Sequence, residues 1–236
     1  MLAKRLLPIL LFGGYALAII SLVWRKKLLL FLHPDFLILA YLAIFTLLFL
    51  TVWLLFTHKH HHHPVNLVWW RIVLLLLPLV TVFLFEMRPL SSSAALERGL
   101  STGALTIGRS LNAHQFATKP EKRSLYQWVI ALNANPEPSH YEGQAVHVSG
   151  FVVHDPSLPA DQVNIARFIV TCCAADARVL SLPIQKTLPF FSELKDDEWI
   201  DVTGKMAVIE TLGKRSLVIL PTEVKRISQP DNPYEI

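Results

Sequence analysis

The chain has 236 residues, ten histidines, two cysteines and a formal net charge of +4, and its mean hydropathy of +0.43 is too high for an ordinary soluble domain. Eight basic residues stand against two acidic ones in 1–90 and fourteen against sixteen in 91–236, so the positive charge flanks apolar runs and does not mark a nucleic-acid surface. Two cysteines are too few for a disulfide framework, and a bond between these neighbours closes a strained ring, so neither redox compartment is indicated.

Residues 1–90 read as three transmembrane helices, near 6–24, 36–56 and 67–85. Leu6 to Trp24 is uncharged and 19 residues long, enough at 1.5 Å per residue to cross a hydrocarbon layer of about 30 Å. Lys4 and Arg5 resemble a signal-peptide n-region, but the apolar run is long and Trp24-Arg25-Lys26-Lys27 is a poor cleavage site, so the helix is retained. Phe36 to Phe56 is opened by His33-Pro34-Asp35, a breaker followed by a helix-start carboxylate. Leu67 to Phe85 carries Trp69, Trp70 and Arg71 at one rim and Glu86 and Arg88 at the other, where tryptophans and snorkelling arginines belong. Pro78 kinks it, which a neighbouring helix tolerates by covering the freed backbone. No acidic or basic residue lies deep in any span, which argues against a lone pump or ion pathway.

Between the second and third spans lies a loop holding His58, His60, His61, His62 and His63. Neutral imidazoles ligate zinc, copper or nickel; a solvated interfacial loop with biased composition is the competing reading. Three spans put the amino terminus and this loop on one face of the bilayer and the carboxyl-terminal domain on the other. Flanking basic residues number five on the domain side and four on the histidine side, so orientation stays open.

Residues 91–118 form a linker, rich in Ser, Gly and Ala near the membrane, with Gly99, Gly103 and Gly108 as helix breakers. In 119–236, Lys119 to Leu132 predicts a short amphipathic helix with Leu125, Trp128, Val129 and Leu132 on one stripe. Period-two patterning then predicts five strands, Gln144–Val153, Ile165–Cys173, Arg178–Ile184, Glu198–Ile209 and Ser216–Val224. The fold class is therefore an α-helical membrane half followed by a mainly-β domain, a small five-stranded OB-like barrel in which Gly204 permits a sharp bend. That domain is net acidic, and Phe151, Phe168, Phe190, Phe191 and Trp199 fall where a core wants them, so no nucleic-acid partner is expected.

Cys172 and Cys173 are the centre of this half. In a straight strand their sulfurs point to opposite faces, so both serve one metal only if the chain turns there. Further ligands could come from His147, His154, Asp155 and Asp176, and thiolates with imidazole suit zinc or copper. Core packing of the thiols and a thiol nucleophile or redox sensor are the alternatives.

Three stretches, Gly150-Phe151-Val152-Val153-His154-Asp155-Pro156, Ala166-Arg167-Phe168-Ile169-Val170-Thr171-Cys172-Cys173-Ala174-Ala175-Asp176-Ala177 and Asp196-Asp197-Glu198-Trp199-Ile200-Asp201-Val202-Thr203-Gly204, resemble the YcgQ family of bacterial membrane proteins. That resemblance implies a multi-pass protein of the bacterial inner membrane, the non-catalytic smaller subunit of a two-component permease, whose partner is a larger multi-spanning permease. It supplies no catalytic residues, and the histidine tract lies outside it. The expectation is a non-enzymatic helper subunit in a lipid bilayer that handles a metal ion, with a membrane-anchored thiol enzyme as the alternative.

Overall fold

The computed structural model describes residues 2–56, 69–100, 119–211 and 214–235. The histidine tract, including His58, His60, His61, His62 and His63, lies outside them. The chain divides into two compact units: Met1–Pro89 with Cys172–Ala174, and Leu90–Thr171 with Ala175–Ile236.

In the first unit, helices α1 (Leu2–Trp24), α2 (Leu37–Phe56) and α3 (Trp69–Leu84) pack together. Close approach is set by small residues on α1. A Cβ on Gly14 would lie 3.2 Å from Leu79 on α3, one on Gly13 would lie 3.7 Å from Thr51 on α2, and Ala16 and Ala18 are buried. Pro78 removes one backbone hydrogen bond of α3, and beside that break the Tyr15 hydroxyl of α1 donates to the Leu75 carbonyl at 2.6 Å. Two stretches, Leu7–Trp24 and Pro34–Phe56, are long and apolar enough to cross a membrane, and α3 carries a shorter apolar stretch, Val73–Leu84.

Between α1 and α2 the chain makes two short 3-10 turns, Lys27–Leu30 and Pro34–Phe36. His33 caps the second, its Nδ1 accepting from the Asp35 amide at 3.3 Å, with Pro34 at the first turn position. Phe31–His33 also pairs antiparallel with Cys172–Ala174: the His33 amide donates to the Cys172 carbonyl at 3.0 Å and the Ala174 amide to the Phe31 carbonyl at 2.8 Å.

The second unit is the barrel. Strands β1 (Ala145–Val153), β2 (Gln162–Ile169), β3 (Arg178–Gln185), β4 (Trp199–Thr211) and β5 (Lys214–Arg226) close in the order β1-β2-β3-β5-β4-β1. Every contact in that ring is antiparallel except β3 with β5, joined in parallel at Ile184 and Ile219. This is an OB-like barrel. A two-residue strand, β6 (Tyr234–Glu235), adds in parallel to the end of β2. The bend in β4 falls where the sequence places it: the register with β5 shifts at Thr203/Gly204, and a Cβ on Gly204 would run into the Leu220 carbonyl.

Alternation along the strands sorts side chains into two cores. Val146, Val148, Val152, Val163, Ile165, Leu180, Leu182, Ile184, Ile200, Val202, Met206 and Ile219 make the inner one, joined by Leu125, Trp128 and Val129 of helix α5 (Leu125–Ala134). The helix starts where Ser124 and Gln127 form a capping box, six residues later than the sequence pattern suggests, because Pro120–Lys122 forms a separate 3-10 turn. Tyr141 packs edge-on to Trp128, and its hydroxyl donates to the Ala131 carbonyl at 2.6 Å; burial pushes the phenol above its ordinary pKa.

The outer core holds Phe151, Val153, Ala166, Phe168, Val179, Trp199 and Tyr234. Phe151, Phe168 and Trp199 are thus core residues, as expected, but outside the barrel. Their cover includes helix α4 (Ser92–Arg98), within the stretch the sequence presents as linker. Ala95 is fully buried there, Arg98 donates to the Ala177 carbonyl at 2.9 Å, and Gly99 ends the helix at φ +80°.

Two substitutions test these packing claims. Gly204→Ala, which forces a methyl against the Leu220 carbonyl, should destabilise the barrel by about 1–3 kcal/mol. Trp128→Ala, which removes a fully buried side chain from the inner core, should cost about 3–5 kcal/mol. Thermal melts of the detergent-solubilised full chain, followed by far-UV circular dichroism, check both; an unchanged melting temperature contradicts the packing described.

Candidate functional site

The second strand does not carry the cysteines. The sequence pattern extends it over Ile165–Cys173, whereas β2 runs Gln162–Ile169 and stops three residues before Cys172. The chain turns over Thr171–Asp176 and closes in a short 3-10 segment, Ala174–Asp176. A hydrogen bond across the turn helps to fasten it: the Thr171 amide donates to Asp176 Oδ2 at 3.1 Å. A carboxylate that accepts from a backbone amide upstream is a common way for Asp to stabilise a tight loop.

Because the extended conformation ends before Cys172, the two sulfurs are not sent to opposite faces. Cys172 Sγ and Cys173 Sγ lie 3.6 Å apart. Neither is in a disulfide, and both are half-buried. Asp176 completes the group: one ligand atom from each of Cys172, Cys173 and Asp176 lies within 4.8 Å of the others. Two thiols and a carboxylate so placed are a donor set for a divalent or soft metal ion.

The structure separates the other sequence candidates from this turn. His154 follows Val153, which pairs with Asn164 near the start of β2; from there to Ile169 the strand alone spans about 16 Å at 3.3 Å per residue. His154 is held by Asp196, whose Oδ1 accepts from the His154 amide at 2.8 Å and lies 2.9 Å from its Nδ1. Asp155 makes the turn itself, accepting from the Ser157 amide at 2.8 Å. His147 Nε2 lies 2.8 Å from Asp201 Oδ1 across β1 and β4, on the rim of an open polar groove that also involves Arg123, Ser149 and Arg167. Two of these side chains have partners of their own: Arg167 bridges to Glu235 at 3.2 Å, and Arg123 donates to Gln144.

The pairing of Phe31–His33 with the cysteine segment had no sequence signal. It is a single bridge, Leu32 with Cys173, between positions far apart in the chain, and the Phe31–His33 side carries no strand periodicity.

Comparison with known proteins agrees with this division. Residues 7–101 match the DUF1980 N-terminal domain and residues 120–235 the DUF1980 C-terminal domain. Over 191 residues the chain is 23% identical to the UPF0703 protein YcgQ of Bacillus subtilis (strain 168), an alignment covering 69% of this chain and 66% of that protein. The chain thus spans just under two thirds of that relative's length. No solved structure matches.

The sulfur separation has a direct chemical readout. A dibromomaleimide, which joins two thiols a few ångströms apart, should bridge Cys172 and Cys173 in the reduced native chain and add one reagent mass. Two separate adducts, or none, would show that the sulfurs do not share a face.

Proposed function

This chain belongs to the YcgQ family, built from the DUF1980 N- and C-terminal domains, and on that premise we propose that it is a multi-pass inner-membrane accessory subunit that captures a metal ion for a larger permease. Two apolar stretches long enough to span a bilayer, with α3 beside them, are the membrane portion in this reading. The spans carry no acidic or basic residue at depth, which suits a subunit that holds and presents a solute better than one that conducts it. The barrel is the presenting domain.

The observation that carries the proposal is the turn Thr171–Asp176, where two thiols and a carboxylate converge. The histidine tract 58–63 adds a second set of metal ligands on another loop, where it would act as a low-affinity buffer. Its imidazoles and the thiol turn are separate ligand sets in this reading.

The full chain reconstituted in liposomes tests both halves of the proposal. It should bind one equivalent of zinc or copper beyond what the histidine tract takes, lose that equivalent in Cys172→Ser/Cys173→Ser, and move no ion across the vesicle by itself. Ion flux through the isolated chain would contradict the accessory role. Failure to bind metal would contradict the capture role, and rapid alkylation of one thiol at neutral pH without metal would favour a thiol enzyme or redox sensor instead.

A further inference from the structure

We propose that the turn closing α1 is a docking surface for the phosphodiester headgroups of anionic phospholipids, seating this rim of the helical unit in a negatively charged leaflet. The inference rests on the membrane reading above and is independent of any metal at the cysteine turn. It adds the class of lipid that this rim selects.

Depth comes first. The apolar stretch Leu7–Trp24 ends immediately before Arg25-Lys26-Lys27, and the next apolar stretch begins at Pro34. The end of α3 lies at the same level, because Lys27 Nζ donates to the Met87 carbonyl at 3.5 Å, next to Arg88 in the chain. Large apolar side chains surround these cations without being covered: Trp24 is 87% exposed, and Phe31 and Phe36 are exposed as well. Aromatic rings beside lysine and arginine at the end of an apolar span mark the headgroup level. There the ring enters the acyl boundary while the cation reaches the phosphate.

Charge comes second. This rim holds four cations, Arg25, Lys26, Lys27 and Arg88, against two carboxylates, Asp35 and Glu86, a net charge of +2. Asp35 stands 3.5 Å from His33 Nδ1, and Glu86 stands 3.3 Å from Arg88 with both side chains open to water. A membrane surface potential acts on net charge, so each cation contributes to the attraction whether or not it also has a neighbour in the chain. An exposed pair such as Arg88–Glu86 is worth little in water. A guanidinium fork fits two phosphate oxygens as well as it fits a carboxylate.

The third observation is that the cations sit in a folded turn. α1 stops where Lys26 takes the left-handed conformation, φ 56°, with its amide donating to the Val23 carbonyl at 3.0 Å. The 3-10 turn Lys27–Leu30 follows directly, anchored by the buried Leu28 and Leu30. Beyond it, Phe31–His33 is pinned by its antiparallel bridge to Cys172–Ala174. The backbone that carries Arg25, Lys26 and Lys27 is thus ordered before a lipid arrives, and little further ordering opposes binding.

The test reconstitutes the full chain in phosphatidylcholine vesicles doped with a phosphatidylglycerol that carries a photoreactive diazirine in its headgroup, or with the matching phosphatidylcholine probe. Crosslinked peptides are mapped by mass spectrometry, so that only this rim is read. Residues 24–36 and 85–88 should take the anionic probe over the zwitterionic one by about fivefold or more, the factor that one cation near the surface supplies. High salt should shrink that excess. Arg25→Gln/Lys26→Gln/Arg88→Gln, which leaves Lys27 and its bond to the Met87 carbonyl in place, should bring the two yields within about twofold of each other. Should that variant not reconstitute, Arg25→Gln alone should lower the excess and Arg25→Lys, which keeps the charge, should preserve it. Equal labelling by the two probes in the parent chain, or an excess that these neutral variants leave unchanged, overturns the headgroup assignment while the membrane reading stands. Loss of the anionic crosslink to free glycerol phosphate at matched ionic strength would make the ligand a soluble phosphate ester and also overturns the lipid assignment. A chain that does not enter the vesicles overturns both.

Discussion

Neighbouring residues in an extended strand cannot present their side chains to one partner, and the site described here exists because the chain breaks that rule at one place. β2 ends at Ile169, Asp176 reaches back to the Thr171 amide, and the two sulfurs arrive 3.6 Å apart. The second unit fixes the point at which the chain leaves β2. β2 pairs along its whole length with β3, shares a shorter edge with β1, and near its end is flanked by β6. The Arg167–Glu235 ion pair, partly screened from water, ties that last strand to the centre of the sheet.

The barrel itself leaves little freedom at the face where OB-like domains bind extended ligands. In this chain the outer surface of β1, β2 and β3 is a second hydrophobic core, with the Phe151–Phe168 stack at 5.5 Å beneath α4. With that aromatic face spent on packing, the cluster of potential metal ligands among the described residues is at the turn after β2. The fold is shared by many activities, so the barrel by itself does not specify a function.

Much of this was legible in the sequence. Gly204 in the middle of an apolar strand announced the bend, the stripe Leu125, Trp128, Val129 announced the helix that enters the inner core, and the two longer apolar spans were evident from uninterrupted length alone. The boundaries of β2 were not. Asn164 is almost fully buried on the outer face, and Gln162 is buried too, but polar residues at a strand's start read as turn. Helix α4 was hidden for a related reason: Ser91 to Ser110 has the composition of a linker, and only the packing of Ala95 on the outer core makes it structure. The seat of the cysteines against Phe31–His33 depends on one long-range bridge, for which no local pattern exists. His154 was grouped with the cysteines as a nearby imidazole in the sequence; the strand register places it at the opposite end of β2.

The central claim is that two sulfurs and a carboxylate from one six-residue turn share a metal. X-ray absorption at the zinc edge, on the full chain carrying one equivalent of zinc, reads this directly. The account predicts two sulfur scatterers at about 2.3 Å and lighter scatterers at about 2.0–2.2 Å, one of them carboxylate oxygen. A shell of nitrogen and oxygen alone, with imidazole multiple scattering and no sulfur, would place the ion on histidines and contradict it.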